Sequence, residues 1–108
     1  MDSPIKVIQP QGILNGITGN DLRREVSNLL DNGADMLLID LKEVHFIDSS
    51  GLGSLVSAAQ MVRTANAKLF VCSVSDQVRM LFELTKIDRV FQTFIDQEDC
   101  KRQVLTTS

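Results

Sequence analysis

Two short apolar runs restrict the possible folds of this chain most strongly. Met36-Leu37-Leu38-Ile39 and Leu69-Phe70-Val71-Cys72 contain no polar residue. A strand with one face in water alternates polar and apolar residues, so an uninterrupted run indicates a strand covered on both faces. Such strands are typical of sheets with helices packed on both sides. We therefore expect an α/β fold with residues 36–40 as the central strand.

The remaining segments alternate between extended and helical patterns. Ile5–Ile8 and Gly12–Leu14 flank Pro10, so they are predicted to be short strands that pair through a tight turn. Leu22, Val26, Leu29 and Leu30 at helical spacing predict a helix that starts at Thr18 or Asn20 and ends at Asn32-Gly33. The later predicted elements, in chain order, are a helix over 50–65, a strand over 68–74, a helix capped by Ser75 or Asp76, an edge strand over 90–94, and a helix over 97–105 capped by Asp96.

This alternation predicts parallel strands joined by right-handed crossovers. The 108 residues, 44% of them hydrophobic, are enough for one core without a metal or a disulfide. We predict one domain over residues 1–108, with a mixed, mostly parallel sheet of four to five strands and about four helices.

Charge and hydropathy narrow the possible partners. The chain has 11 basic and 14 acidic residues, which gives a net charge of −3, and the basic residues are scattered along the sequence. This distribution favours neither nucleic acid nor an anionic membrane as a partner. The apolar runs are too short to cross a bilayer and the first residues do not resemble a signal peptide, so we expect a cytoplasmic protein.

The segment Asp48-Ser49-Ser50-Gly51-Leu52-Gly53 places two hydroxyls where an apolar strand ends and an amphipathic helix begins. The first turn of a helix presents unpaired N–H groups and the positive end of the helix dipole. A phosphate on Ser49 or Ser50 would therefore be stabilised there. The alternative is that these residues only cap the helix, which is common for Asp and Ser.

The helix after this segment has two distinct faces. Its predicted buried stripe is Leu52, Leu55, Val56, Ala59 and Val62. The opposite face is predicted to present small residues and one thioether, where a solvated helix usually carries Glu and Lys. That face is either a docking surface for another protein or a set of small residues that tolerate exposure; its members are Gly53, Ser54, Ser57, Ala58 and Met61.

The sequence lacks the motifs of common enzymes. His45 is the single histidine and precedes Ser49 by four residues, and there is no Gly-x-Ser-x-Gly segment. No lysine follows the glycines at 51 and 53 as in a nucleotide-binding loop, and a dinucleotide motif would need a third glycine. Cys72 and Cys100 do not have the spacing of metal ligands. We expect no catalytic residues, metal or cofactor.

The string Val44-His45-Phe46-Ile47-Asp48-Ser49-Ser50-Gly51-Leu52-Gly53, preceded by Asp40-Leu41, resembles the signature of STAS-domain anti-sigma-factor antagonists. The resemblance extends along the whole chain, through the strand at residues 69–74 and the helix at residues 78–84. It implies a STAS-like α/β fold. Members of this family bind an anti-sigma factor that is also an ATP-dependent serine kinase, and they release the sigma factor. The kinase inactivates the antagonist by phosphorylation and a phosphatase of the PP2C type restores it.

Carried over to this sequence, the resemblance makes Ser49 the phosphoacceptor, because it directly follows the signature aspartate. Asn15 stands where family members often carry an acidic residue. The same domain also occurs in transporters and sensory proteins, so binding of a nucleotide or another anion, or a scaffolding role in a signalling complex, is the alternative function. The predicted partner-binding residues are Asn15, Asp48, Ser50, Gly51, Gly53, Ser54, Ser57 and Met61.

Overall fold

The computed structural model describes residues 4–105. Four helices and six strands are present in this range, together with one short 3-10 helix at Ile87–Arg89. In chain order they are β1 (Ile5–Ile8), β2 (Gly12–Leu14), α1 (Gly16–Asp31), β3 (Met36–Asp40), β4 (Val44–Ile47), α2 (Ser49–Thr64), β5 (Lys68–Cys72), α3 (Asp76–Thr85), β6 (Gln92–Phe94) and α4 (Gln97–Leu105).

The strands form two sheets. The larger one has the order β1-β3-β5-β6, and the smaller one pairs β2 with β4; each neighbouring pair is parallel. The apolar run of β3 lies between β1 and β5, with Ile39 opposite Ile8 and Val71. The predicted α/β fold and the predicted central strand are confirmed.

The prediction that the first two strands pair with each other is wrong. Ile5–Ile8 pairs with β3, whereas Gly12–Leu14 pairs with β4 in the second sheet. Gly12 adopts a φ of +80°, which glycine reaches without strain, and its N–H donates to the carbonyl of Glu43 at 2.9 Å. The chain therefore turns away from β1, and Leu14 becomes fully buried against the helices.

Helices cover both faces of the larger sheet. Residues of α1, α2 and α3 form the main core with one face, and Cys100 and Val104 of α4 pack on the other. This explains why β3 and β5 are apolar on both sides. Within residues 4–105, none of the helices combines the length and the apolar character that a bilayer crossing requires.

Candidate functional site

The smaller sheet places two helix N-termini side by side. In the register of β2 and β4, Leu14 lies opposite Ile47, and α1 and α2 begin within two residues of these positions. The Asp48 N–H donates to the Leu14 carbonyl at 3.2 Å. A Cβ on Gly16 would lie 3.7 Å from the Cβ of Ser50. The first turns of both helices therefore adjoin each other at the carboxyl edge of the parallel pair.

Asn15 caps the first of these helices. Its Oδ1 accepts from the N–H groups of Ile17 at 3.0 Å and Thr18 at 3.1 Å, and the Thr18 hydroxyl accepts from the Asn15 N–H at 2.8 Å. This reciprocal capping box starts α1 at Gly16, so the predicted start at Thr18 or Asn20 is wrong. Asn15 supplies the capping oxygen of an aspartate without its charge.

Asp48 caps the second helix through its Oδ1, which accepts from the Gly51 N–H at 2.8 Å. The two serines that follow are the first two residues of α2. Both are exposed. The predicted position of the serine pair, in the first turn of a helix that follows a strand, is confirmed.

Gly51 is buried, unlike an accessible partner-binding residue. A Cβ added there would lie 2.0 Å from the Leu14 carbonyl oxygen. The glycine thus allows α2 to approach the backbone of β2 closely. Gly53, two residues further on, is exposed, and a Cβ there would meet nothing within 4 Å.

The predicted exposed face of small residues is wrong for Ser54 and Ala58. Ser54 is 2% exposed, and its hydroxyl donates to the Ser50 carbonyl at 3.0 Å. Ala58 is fully buried, and a Cβ on Gly19 of α1 would overlap the Ser54 side chain. These residues are small because α1 packs closely on this side of α2, which helical periodicity alone does not reveal. Ser57 and Met61 are half-buried and line a groove that α1 and α2 form together.

Three large apolar side chains on the elements around the serines are exposed, which the sequence pattern did not indicate. They are Ile13 of β2, Ile17 in the first turn of α1 and Phe46 of β4. Ile13 lies opposite Phe46. The sequence feature that comes closest to indicating this exposure is the apolar pair Phe46-Ile47 before the serines. The alternation of side chains along a strand does not show which of the two faces solvent.

Outside this site, the principal buried charge is Asp40 at the end of β3. Its carboxylate accepts from Gln97 Nε2 at 2.7 Å, Gln9 Nε2 at 3.3 Å and the Lys42 N–H at 3.0 Å. Burial raises the pKa of Asp40, but hydrogen bonds from Gln97, from the Lys42 N–H and, less strongly, from Ser73 and Cys72 outweigh it and lower the pKa below its ordinary value. The carboxylate therefore ties the start of α4 to the end of the central strand.

The remaining residues considered in the sequence show no reactive arrangement. Cys72 and Cys100 are free and buried, and burial raises the pKa of the Cys72 thiol to about 12. His45 is exposed in β4. No cluster of three potential metal ligands occurs in the described range 4–105.

Fold and site together define a parallel α/β protein. Two exposed serines are the first residues of α2, whose first turn adjoins the first turn of α1. The family model described as the STAS domain matches residues 2–100. The chain therefore belongs to the STAS domain family.

Curated relatives and solved structures agree with this assignment. The chain is 27% identical over 81 residues to BtrV of Bordetella bronchiseptica, named as a candidate anti-sigma factor antagonist; the match covers 75% of this chain and 70% of that one. It is 37% identical over 57 residues to an anti-sigma-B factor antagonist of Listeria monocytogenes, covering 53% of this chain and half of the relative.

Among solved structures, a candidate anti-sigma factor antagonist of Thermotoga maritima superposes with a TM-score of 0.87 at 20% identity, covering 97% of this chain and 91% of the other. The Bacillus cell fate determinant SpoIIAA in its phosphorylated form superposes with a TM-score of 0.71 at 18% identity, covering 94% and 93%. At these identities the structures share the fold with this chain.

Proposed function

We propose that this protein is an anti-sigma-factor antagonist, a non-catalytic binding module that phosphorylation of Ser49 switches off. The observation that carries the proposal is the exposed Ser49 in the first turn of α2, directly after the capping Asp48. The names of the relatives and the signature around Asp48 support this assignment. The proposed partner is an anti-sigma factor that is also a serine kinase, a PP2C-type phosphatase reverses the modification, and both act in the cytoplasm.

Electrostatic repulsion provides the switch. Unmodified Ser49 lies within the interface, and a phosphate adds a charge of about −1.5 to −2 next to Asp48. Burying that anion against a partner without a new cation is unfavourable. A penalty of about 3 kcal/mol weakens binding by more than a hundredfold.

The free protein tolerates the same phosphate. The unpaired N–H groups of a helix start and the helix dipole stabilise an anion at this position. Ser49 is the first residue of α2, so the modified protein keeps its fold and loses its partner.

The two serines differ in position. Ser50 flanks Gly16 of α1, whereas Ser49 is one residue earlier, about 100° around the helix axis. Ser49 therefore points to a different side from the α1 contact, which favours it over Ser50 as the residue that a kinase reaches.

Mass spectrometry tests the site. The purified protein is incubated with ATP and each anti-sigma-factor kinase from the same organism, and the modified residue is located by peptide fragmentation. We expect one phosphate on Ser49, its loss in Ser49→Ala, and its retention in the matched variant Ser50→Ala. A phosphate on another residue, or phosphorylation of Ser49→Ala, contradicts the proposal.

A second candidate function is the binding of a nucleotide or another anion in the same place. The adjoining first turns of α1 and α2 favour it, because the positive dipole ends of both helices lie next to each other. Calorimetric titration with ATP, GTP and inorganic phosphate separates the two functions. Saturable binding that Ser49→Asp abolishes, without any interaction with the kinases, would favour the anion-binding function.

A further inference from the structure

A small cavity lies beside the carboxyl ends of β5 and β6, and we call it the β6 cavity. Its volume is about 280 Å³. It is bordered by Val74 and Ile95, which follow the two strands, by Arg79 and Glu83 on one side of α3, and by Asp88 of the 3-10 helix. Small molecules bind to parallel α/β sheets at the carboxyl ends of the strands. The β6 cavity therefore has the position of a ligand site, on the sheet that does not carry Ser49.

The apolar part of the β6 cavity is preformed. Phe82 and Phe94 line it and are both buried. Each makes an edge-to-face contact with another ring, Phe82 with Phe91 at 5.4 Å and Phe94 with Phe70 at 5.7 Å between centroids. Ile95, which is 79% exposed, extends this apolar lining toward solvent. Because packed aromatic pairs hold their rings in place, a ligand meets a fixed apolar surface.

Three charged side chains border this apolar lining, namely Arg79, Glu83 and Asp88. Within residues 4–105, none of the three takes part in an ion pair or in a side-chain hydrogen bond. Arg79 and Glu83 are one helical turn apart, which brings their Cβ atoms within about 5–6 Å, but an acidic residue that follows a basic one is the less favourable order for an ion pair in a helix. Charges of both signs are therefore available to a ligand.

The backbone beside the β6 cavity has an unusual conformation. Ser73, which precedes Val74, adopts a φ of +60°, which is uncommon for residues other than glycine. Its N–H donates to the Ile95 carbonyl at 3.1 Å and joins the ends of the two strands. Such conformations persist where the surrounding structure maintains them, and they cluster at ligand sites.

We propose that the β6 cavity binds a free α-amino acid with an apolar side chain. The planar guanidinium of Arg79 pairs with the ligand carboxylate, and Glu83 and Asp88 pair with the ligand ammonium. These two ligand groups share one carbon atom, so side chains one helical turn apart can reach both. The ligand side chain packs on Phe82 and Phe94. A purely anionic ligand would lie against two carboxylates, and the volume is at the lower end of the range for ligand pockets, about 300–1,000 Å³, which favours a small molecule.

Calorimetric titration with L-valine, L-leucine, L-isoleucine, L-methionine and L-phenylalanine tests the proposal. We expect saturable binding of at least one of them, with a dissociation constant of about 1 mM or lower. Arg79→Ala should weaken this binding at least tenfold. Arg89→Ala is the matched control, because Arg89 is an exposed arginine of the 3-10 helix that does not line the cavity, and it should bind like the parent. Arg79 is also exposed, so circular dichroism should show that its variant keeps the fold.

Two analogues of the amino acid that binds test its charges separately. The α-amide lacks the carboxylate and the N-acetyl derivative lacks the ammonium, so each should bind at least tenfold more weakly. The inference is overturned if none of the five amino acids binds, if Arg79→Ala binds like the parent, if Arg89→Ala weakens binding as much as Arg79→Ala does, or if both analogues bind as well as the free amino acid. Ser49→Asp should bind the amino acid like the parent, and a loss in this variant would place the ligand at the serines and also overturn the inference. None of these outcomes decides whether Ser49 is phosphorylated.

Discussion

Substitution of Gly51 by alanine should destabilise the protein although alanine is the better helix former. A Cβ at this position would lie 2.0 Å from the carbonyl oxygen of Leu14 and 2.5 Å from its carbonyl carbon. Both are backbone atoms, and the oxygen also accepts from the Asp48 N–H. Relief of the overlap would move β2 away from α2. Overpacking of this kind costs about 1–3 kcal/mol or more, against a gain in helix propensity of about 1 kcal/mol.

Gly53→Ala provides the control in the same helix. Gly53 is exposed and a Cβ there would contact nothing, so this variant should gain up to about 1 kcal/mol from propensity alone. The gain in propensity is common to both variants, so they should differ by the overpacking cost, about 1–3 kcal/mol or more in the free energy of unfolding. With a urea dependence of about 2 kcal/mol per molar, their midpoints should differ by about 0.5–1.5 M or more. Equal midpoints would refute the close approach of α2 to β2.

Three further predictions concern the packing and the buried groups. Gly19→Ala should lower the urea midpoint because its Cβ would overlap Ser54, and adding Ser54→Gly should restore part of the loss; no coupling between the two would count against the contact. The pKa of Asp40 is lowered in the folded state, so the stability from its carboxylate is present above about pH 4 and is lost as the pH falls through the folded pKa. Asp40→Asn should therefore be less stable at pH 7 and change less between pH 7 and pH 3 in urea titrations; an unchanged pH dependence would argue against this role. Because burial raises the pKa of Cys72 to about 12 and Cys100 is also buried, a thiol reagent at pH 8 should label neither cysteine until urea unfolds the chain, and rapid labelling of the native protein would contradict their burial.

The parts of the fold that depend on local pattern were predictable. The run 36–39 is uniformly apolar because β3 lies between two strands and beneath helices on both faces, and that pattern is visible without any partner. Asp48 caps the first turn of α2 locally, and the serines follow it directly, so the position of the site also followed from the sequence. Asn32-Gly33 ended α1 as predicted, with Gly33 at a φ of +91°.

The parts that depend on non-local contacts were not predictable. The pairing of β2 with β4 joins segments about 30 residues apart, whereas the sequence favoured the nearer strand. Ser54 is polar and small, so it resembled an exposed residue until the approach of Gly19 from α1 was known. Phe46 is exposed where the register of β2 and β4 shifts by one residue, and no short sequence motif indicates that shift.

Unmodified Ser49 is proposed to be part of a protein interface that its phosphate breaks. The most direct measurement is the dissociation constant of the anti-sigma-factor kinase for the unmodified protein and for the protein phosphorylated stoichiometrically at Ser49, at one salt concentration. We expect binding at least a hundredfold weaker after phosphorylation, with unchanged circular dichroism. Equal affinity of the two forms would contradict it.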